Sequence, residues 1–165
     1  TAYALVTAIQ KIGKYDLIIC GRQAADWDKG QTGVGIAEEL GIPCVTVAKK
    51  IEVADGKVKV ERVVADGYEV VEVAPPVVVT VSNELGEPRY ATLKGIMAAA
   101  KKQPTVMTAA DIGADTSKTG KAGAKSKLLK LYIPVREGKC EMIEAEDPAE
   151  AGSLLAQKLR EAKVL

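Results

Sequence analysis

A glycine-rich polar loop between an apolar strand and an amphipathic helix constrains the fold of this chain more than any other feature. Residues 16–20 form an apolar run of the kind found in buried parallel strands. Residues 34–40 carry apolar side chains at helical spacing, and the loop between these two segments spans residues 21–33. Because ligands of open α/β sheets bind where strands lead into helices, this loop is the candidate binding site.

The start of the following helix favours a phosphate-bearing ligand such as a nucleotide, because unpaired backbone N–H groups there attract anions. The loop contains neither Gly-x-x-x-x-Gly-Lys-Ser/Thr nor Gly-x-Gly-x-x-Gly, so it is neither of the two common phosphate loops. Two purely structural interpretations stay open. The glycines are also compatible with an ordinary strand-to-helix turn, and Asp28 with Gln31 forms a candidate capping box.

Alternating apolar and charged residues predict a three-stranded antiparallel meander with one solvated face. Its strands are residues 44–53, 57–64 and 68–73, joined by two Ala-Asp-Gly turns. Residues 77–81 are wholly apolar and predict a return to the buried sheet. We therefore expect an α/β fold with an open, mostly parallel sheet and an antiparallel hairpin extension.

The second half of the chain predicts a helix, a linker and a terminal arm. Thr92 is a candidate N-cap for a helix to about residue 102, and residues 113–126 have a linker composition. Residues 128–135 predict a strand, and a last helix over 147–163 begins with Asp147 as its cap. We assign residues 1–112 to the sheet domain and residues 113–165 to a linker and C-terminal arm.

Composition excludes several classes of function. The sequence contains no histidine, which rules out Ser-His-Asp and Cys-His catalysis and the common histidine metal sites, so we expect no metal. A net charge of +1 predicts neither nucleic-acid nor membrane-surface binding, and no apolar run is long enough for an integral membrane protein. The three cysteines are far apart, which favours a reducing, cytoplasmic location.

Several motifs, in order, resemble the β subunit of electron transfer flavoprotein, also called the FixA family. These are the loop from residue 16 to Gln31-Thr32-Gly33, the segment from Val60-Glu61-Arg62 to residue 80, Glu87-Pro88-Arg89-Tyr90 with the helix after it, and the tail around Asp147-Pro148. The resemblance spans essentially the whole chain. The part of the family that corresponds to its N-terminal third is missing from this sequence, so we expect the chain to correspond to the C-terminal two-thirds of such a subunit.

The resemblance implies an adenine-nucleotide-binding type of sheet and an electron carrier without catalytic residues of its own. Such a β subunit pairs with an α subunit that holds the redox FAD, and the arm is expected to contact that subunit. The heterodimer carries electrons from acyl-CoA dehydrogenases of fatty acid oxidation, or similar flavoenzymes, to a quinone reductase. The β subunit itself binds a structural AMP, or a second FAD in electron-bifurcating members.

Two sets of residues carry these implied roles. The cofactor-binding set is Gly21, Gln23, Ala24, Asp26, Gln31, Thr32 and Gly33. The partner-binding set is Glu87, Pro88, Arg89, Tyr90, Leu93, Ile96 and Met97. Trp27 and Lys29-Gly30 partly replace the usual polar run before Gln-Thr-Gly, and Trp27 either stacks on a ring or covers the loop. For Leu93, helical spacing with Ile96 and Met97 alone would favour core packing.

Two rival classes differ from this interpretation. A nucleotidyl transferase of the same α/β superfamily should carry a glycine-rich loop on its first strand and a histidine-containing motif, and neither is present. A purely structural interaction domain would have the same fold with no nucleotide, and copurifying nucleotide would distinguish it.

Overall fold

The computed structural model describes residues 1–135, 138 and 140–164. The chain divides into two compact units, of which the first is Thr1–Lys127 and the second begins at Leu128. Within the first unit, the backbone N–H of Asp115 donates to the Tyr3 hydroxyl at 2.9 Å, and the Lys118 ammonium lies 5.3 Å from the centre of the Tyr3 ring. The division that we placed after residue 112 stays a prediction.

A five-stranded sheet in the order β1-β5-β2-β3-β4 forms the first unit. Its strands are β1 (Leu17–Gly21), β2 (Cys44–Ala54), β3 (Lys57–Val64), β4 (Gly67–Val73) and β5 (Val77–Val81). β5 pairs in parallel with both β1 and β2, whereas β3 pairs antiparallel with β2 and β4. The predicted open α/β sheet with an antiparallel extension is confirmed.

The residues that the structure describes form five α-helices: α1 (Ala2–Ile12), α2 (Thr32–Leu40), α3 (Leu93–Ala100) and α4 (Gly120–Gly123) in the first unit, and α5 (Pro148–Glu161) in the second. The two predicted caps are confirmed, because the Thr92 hydroxyl accepts from Gly95 N–H and the Asp147 carboxylate accepts from Ala149 and Glu150 N–H. The capping box proposed for α2 is wrong. Gln31 is the N-cap residue without a side-chain bond, and Asp28 instead accepts from the Gln23 amide at 2.8 Å.

The interior strand β5, which lies between β1 and β2, buries side chains on both faces of the sheet. Val77 and Val79 lie in one apolar cluster with residues of β2 and β3, and Val78 lies in another with residues of α1 and α2. All three valines are fully buried. These contacts hold the carboxyl ends of β1 and β5, from which the site loops leave, against α2.

A bulge interrupts β2 beside β5. The pairing of β2 shifts register around Val47, whose φ of 57° is unusual for a β-branched residue. The buried Thr80 hydroxyl accepts from the Val47 N–H at 3.0 Å, which satisfies the donor that the bulge removes from the ladder. Thr80 is therefore a structural residue of the sheet, and its methyl group faces α2.

In the second unit, residues 128–135, 138 and 140–147 lie outside any helix or strand, and α5 follows them. The strand predicted over residues 128–135 is wrong, because the structure assigns these residues to no strand. A strand needs a hydrogen-bonded neighbour, and an apolar run alone does not supply one. All six large apolar side chains of residues 128–135 are strongly exposed, namely Leu128, Leu129, Leu131, Tyr132, Ile133 and Val135.

Among the helices that the structure describes, none combines the length and apolar character needed to cross a membrane.

Candidate functional site

The site begins where two parallel strands end side by side. Gly21 of β1 is paired with Val81 of β5, and Arg22 N–H donates to the Val81 carbonyl at 2.8 Å. The loop after β1 and the segment after β5 therefore leave the sheet at one edge. This is the edge at which open α/β sheets bind ligands.

A cleft of about 680 Å³ opens at this edge. It is lined by the loop, the start of α2 and the first two residues of the chain: Thr1, Ala2, Gly21, Arg22, Gln23, Ala24, Trp27, Lys29, Gly30, Gln31, Thr32 and Gly35. The volume falls within the range of small-molecule sites, roughly 300–1,000 Å³. The cleft is thus large enough for a nucleotide.

The N-terminus of α2 supplies backbone donors to this edge. The first bond of the helix runs from Gly35 N–H to the Gln31 carbonyl at 2.8 Å, so the N–H groups of residues 32–34 precede the helical ladder. Within the part of the chain that the structure describes, no side chain caps this end. An anion placed here would receive these hydrogen bonds and the favourable end of the helix dipole.

Gly33 brings α2 close to the sheet. A Cβ atom at this position would lie 2.7 Å from Thr80 Cγ2 and 3.2 Å from Cys20 Cβ, both inside normal contact distance. Only glycine allows this approach, and Gly33 is itself buried. Close packing of α2 against β1 and β5 therefore explains why position 33 requires glycine.

Two left-handed residues bend the loop back on itself. Asp28 has φ of 49° and Gly30 has φ of 60°. The Asp28 carboxylate receives the Gln23 amide, and a Cβ at Gly30 would lie 3.5 Å from the Arg22 carbonyl oxygen. The loop therefore has a defined shape, with Lys29 and Trp27 facing the cleft.

Arg22 and Lys29 are the two residues with cationic side chains that line the cleft. The Arg22 guanidinium lies 3.6 Å from the Glu84 carboxylate, in the segment after β5. Glu84 also accepts from the Ser82 hydroxyl, and this bond, its own backbone N–H and Arg22 lower the pKa of Glu84. Glu84 stays ionised near neutral pH and holds Arg22 beside the cleft.

Five of the seven predicted cofactor residues converge on the cleft: Gly21, Gln23, Ala24, Gln31 and Thr32. Asp26 and Gly33 do not line it. The predicted set omitted Arg22 and Lys29, although both stand in the same loop. A search for cations beside the glycines would have found them, because phosphate binding calls for positive charge as well as backbone donors.

The partner-binding residues form an exposed surface after β5. Tyr90 is 95 % exposed and Leu93, at the start of α3, is 75 % exposed, and Ile96 and Met97 are also exposed. No residue of α3 is buried. Leu93 therefore does not pack in the core of the first unit, and its helical spacing with Ile96 and Met97 reflects a shared exposed face.

The site contains no arrangement typical of metal or nucleophilic chemistry. Among residues 1–135, 138 and 140–164, no group of three His, Cys, Asp or Glu side chains is placed to hold a metal ion. Cys20 and Cys44 pack against the α2 side of the sheet, and burial raises the pKa of both thiols. Both are therefore protonated near neutral pH and poorly nucleophilic.

A family model described as "Electron transfer flavoprotein domain" matches residues 1–112, which contain the sheet, the cleft and α3. The chain belongs to this electron transfer flavoprotein family. The match confirms the resemblance found in the motifs of the loop and of the segment after β5.

Curated relatives point to the β subunit within the family. The chain is 44 % identical over 138 residues to the electron transfer flavoprotein subunit beta of Thermoanaerobacterium thermosaccharolyticum, covering 83 % of this chain and 53 % of that protein. It is 39 % identical over 161 residues to the subunit of the same name from Clostridium acetobutylicum, covering 98 % of this chain and 61 % of that protein.

A third relative is the caffeyl-CoA reductase-Etf complex subunit CarD of Acetobacterium woodii, 36 % identical over 165 residues. The alignment covers 100 % of this chain and 63 % of that protein. The chain thus spans between half and two thirds of the length of these three relatives.

Proposed function

We propose that this chain is part of the β subunit of an electron transfer flavoprotein and acts as an electron carrier without catalytic residues of its own. In this proposal it pairs with an α subunit that holds the redox FAD. The pair carries electrons from flavin dehydrogenases, such as acyl-CoA dehydrogenases, to a quinone reductase in the cytoplasm. The observation that carries the proposal is the family match over residues 1–112.

The chemistry of the chain supports this role. Electron transfer between flavins requires close docking of two proteins, and it requires neither a nucleophile nor a side-chain acid–base pair. The sequence has no histidine, and burial raises the pKa of the Cys20 and Cys44 thiols. What the chain does offer is a cleft and exposed apolar surfaces, which serve binding.

The cleft is proposed to hold AMP as a structural ligand. The backbone N–H groups at the start of α2 would bind the phosphate, with Arg22 adding positive charge. The residues present fit such a ligand, because donors, cations and a cleft of suitable size meet at one sheet edge. The alternative occupant is a second FAD, as expected of a bifurcating member.

The exposed surface of α3 is proposed to dock the dehydrogenase. Exposed apolar side chains grouped on one short helix are typical of interaction sites. Leu93, Ile96 and Met97 share this surface, and the segment Glu87-Pro88-Arg89-Tyr90 leads into it. Leu93 is the proposed anchor because it is the most exposed of the three helix residues.

The exposed row over residues 128–135 is proposed to bind the α subunit. Leu129 and Ile133 are 88 % and 91 % exposed, which is unfavourable in water unless a partner covers them. We expect a chain ending at Lys127 to lose the α subunit, because that deletion removes the row and leaves the first unit whole. The measurement is copurification of a yellow, FAD-bearing partner with a tagged chain, followed by gel filtration.

Point variants make this test independent of truncation. The double variant Leu129→Ser with Ile133→Ser should weaken copurification, and Lys130→Ser, which changes a charged neighbour, should not. If the truncated chain elutes as a heterodimer like the intact one, the arm is not the contact. If the intact chain retains no flavin-bearing partner, the proposed electron-carrier role fails.

A further inference from the structure

Trp27 is an unusual residue for its position. It is the only tryptophan of the sequence, it lines the cleft, and its side chain is 63 % exposed. An exposed indole at a cleft offers a wide apolar surface to a planar ligand. Trp27 does not serve to close the loop by packing, since packing would bury it.

A neighbouring residue of the loop, Lys29, contacts one face of the Trp27 ring. The Lys29 ammonium lies 5.0 Å from the centre of the indole, at cation–π distance. Asp28 and Gly30, on either side of Lys29, both have left-handed conformations that bend the loop at Lys29. The hydrogen bond that the Gln23 amide donates to the Asp28 carboxylate stabilises this bend. One face of the indole is therefore supported by Lys29, and most of the ring remains open.

The other groups that line the cleft determine which ligands can bind beside the Trp27 ring. The same cleft holds Arg22 and the donors at the start of α2, which suit an anionic group. A ligand with a phosphate at one end and a planar ring at the other matches this combination of charge and exposed aromatic surface. A simple anion such as inorganic phosphate would leave the indole uncovered.

We propose that Trp27 stacks on the planar base of the bound nucleotide and so makes the cleft selective for nucleotides over sugar phosphates. This inference rests on the proposed nucleotide binding and adds to it the residue that recognises the base. Lys29 is a positioning residue that supports the indole from the opposite face. The phosphate interactions at the start of α2 do not depend on Trp27.

The test compares AMP with ribose 5-phosphate, which keeps the phosphate and the sugar but lacks the base. Affinities for the 165-residue chain are measured by equilibrium dialysis. Trp27→Ala should weaken AMP binding about tenfold or more, since stacking of a base on an aromatic ring is typically that strong. The affinity of the Trp27→Ala variant for ribose 5-phosphate should not change, and the Trp27→Phe variant should keep most of the AMP affinity.

Tyr68 provides a matched control. It is exposed like Trp27 and carries the Lys49 ammonium 4.3 Å from its ring centre, but it does not line the cleft. Tyr68→Ala should leave AMP binding unchanged. In the unmodified chain, AMP should also change the emission of Trp27, the only tryptophan, whereas ribose 5-phosphate should leave that emission unchanged.

The outcomes separate the two levels of the proposal. If the unmodified chain and Trp27→Ala bind AMP equally, stacking is refuted and nucleotide binding stands. If Trp27→Ala loses both ligands to the same extent, Trp27 only maintains the loop and the inference is also refuted. If the unmodified chain binds no AMP, the proposed AMP site itself fails, and the stacking inference fails with it.

Discussion

Replacing Gly33 with valine is expected to lower the free energy of unfolding by about 3 kcal/mol or more. Overpacking a closed site typically costs 1–3 kcal/mol and occasionally more. Here even the Cβ atom would lie 2.7 Å from Thr80 Cγ2, and the branched methyl groups add to the conflict. Because α2 must move away from β5, the cleft at its N-terminus should lose its shape and its ligand. Urea unfolding followed by circular dichroism measures the change in stability.

Gly152 is the matched control for this substitution. It also lies within a helix, α5, but no atom stands within 4 Å of a Cβ placed there. Gly152→Val should change stability by only a few tenths of a kcal/mol, of the size of the difference in helix propensity. Equal unfolding midpoints for the two variants would show that α2 does not pack against Thr80 as described.

Replacing Leu93 with alanine is expected to impair docking of the dehydrogenase while leaving stability nearly unchanged. A buried anchor at the centre of an interface contributes on the order of 2 kcal/mol, which corresponds to a roughly 30-fold increase in the Michaelis constant for the dehydrogenase. Leu93 is exposed in this chain, so its truncation creates no cavity. Steady-state kinetics with the dehydrogenase as the varied component, together with thermal unfolding, measure both effects.

Two valine substitutions, one at an exposed and one at a buried position, are the controls for this prediction. Val53→Ala, at an exposed position of the hairpin, should change neither quantity. Val60→Ala, at a fully buried position, should lower stability by about 1–3 kcal/mol and leave the Michaelis constant unchanged. A Leu93→Ala protein that melts far earlier but couples normally would show that Leu93 stabilises the fold and that the anchor lies elsewhere.

Local patterns predict those parts of the fold that depend on neighbours in sequence. The fully apolar run at β5 indicates a strand buried on both faces, and the Ala-Asp-Gly turns indicate hairpins because Asp55 and Gly56 accept left-handed conformations. Thr92 and Asp147 cap their helices because their side chains reach N–H groups two or three residues away. These features need no knowledge of the tertiary structure.

Features that depend on distant contacts were not predictable in the same way. The bulge at Val47 is stabilised by Thr80, 33 residues away, so nothing near Val47 announces it. Arg22 meets Glu84 only because β1 and β5 are adjacent in the sheet. The strand expected over residues 128–135 failed for the same reason, since its apolar pattern does not say whether a neighbouring strand is present.

The nucleotide content of the protein tests the central claim most directly, because that claim is that the cleft binds a nucleotide. The protein is purified under native conditions, denatured, and its supernatant analysed by mass spectrometry. We expect one AMP per chain, with its phosphate bound near residues 31–33. Recovery of FAD without AMP would assign the cleft to the bifurcating alternative, and a supernatant free of any nucleotide would contradict the account.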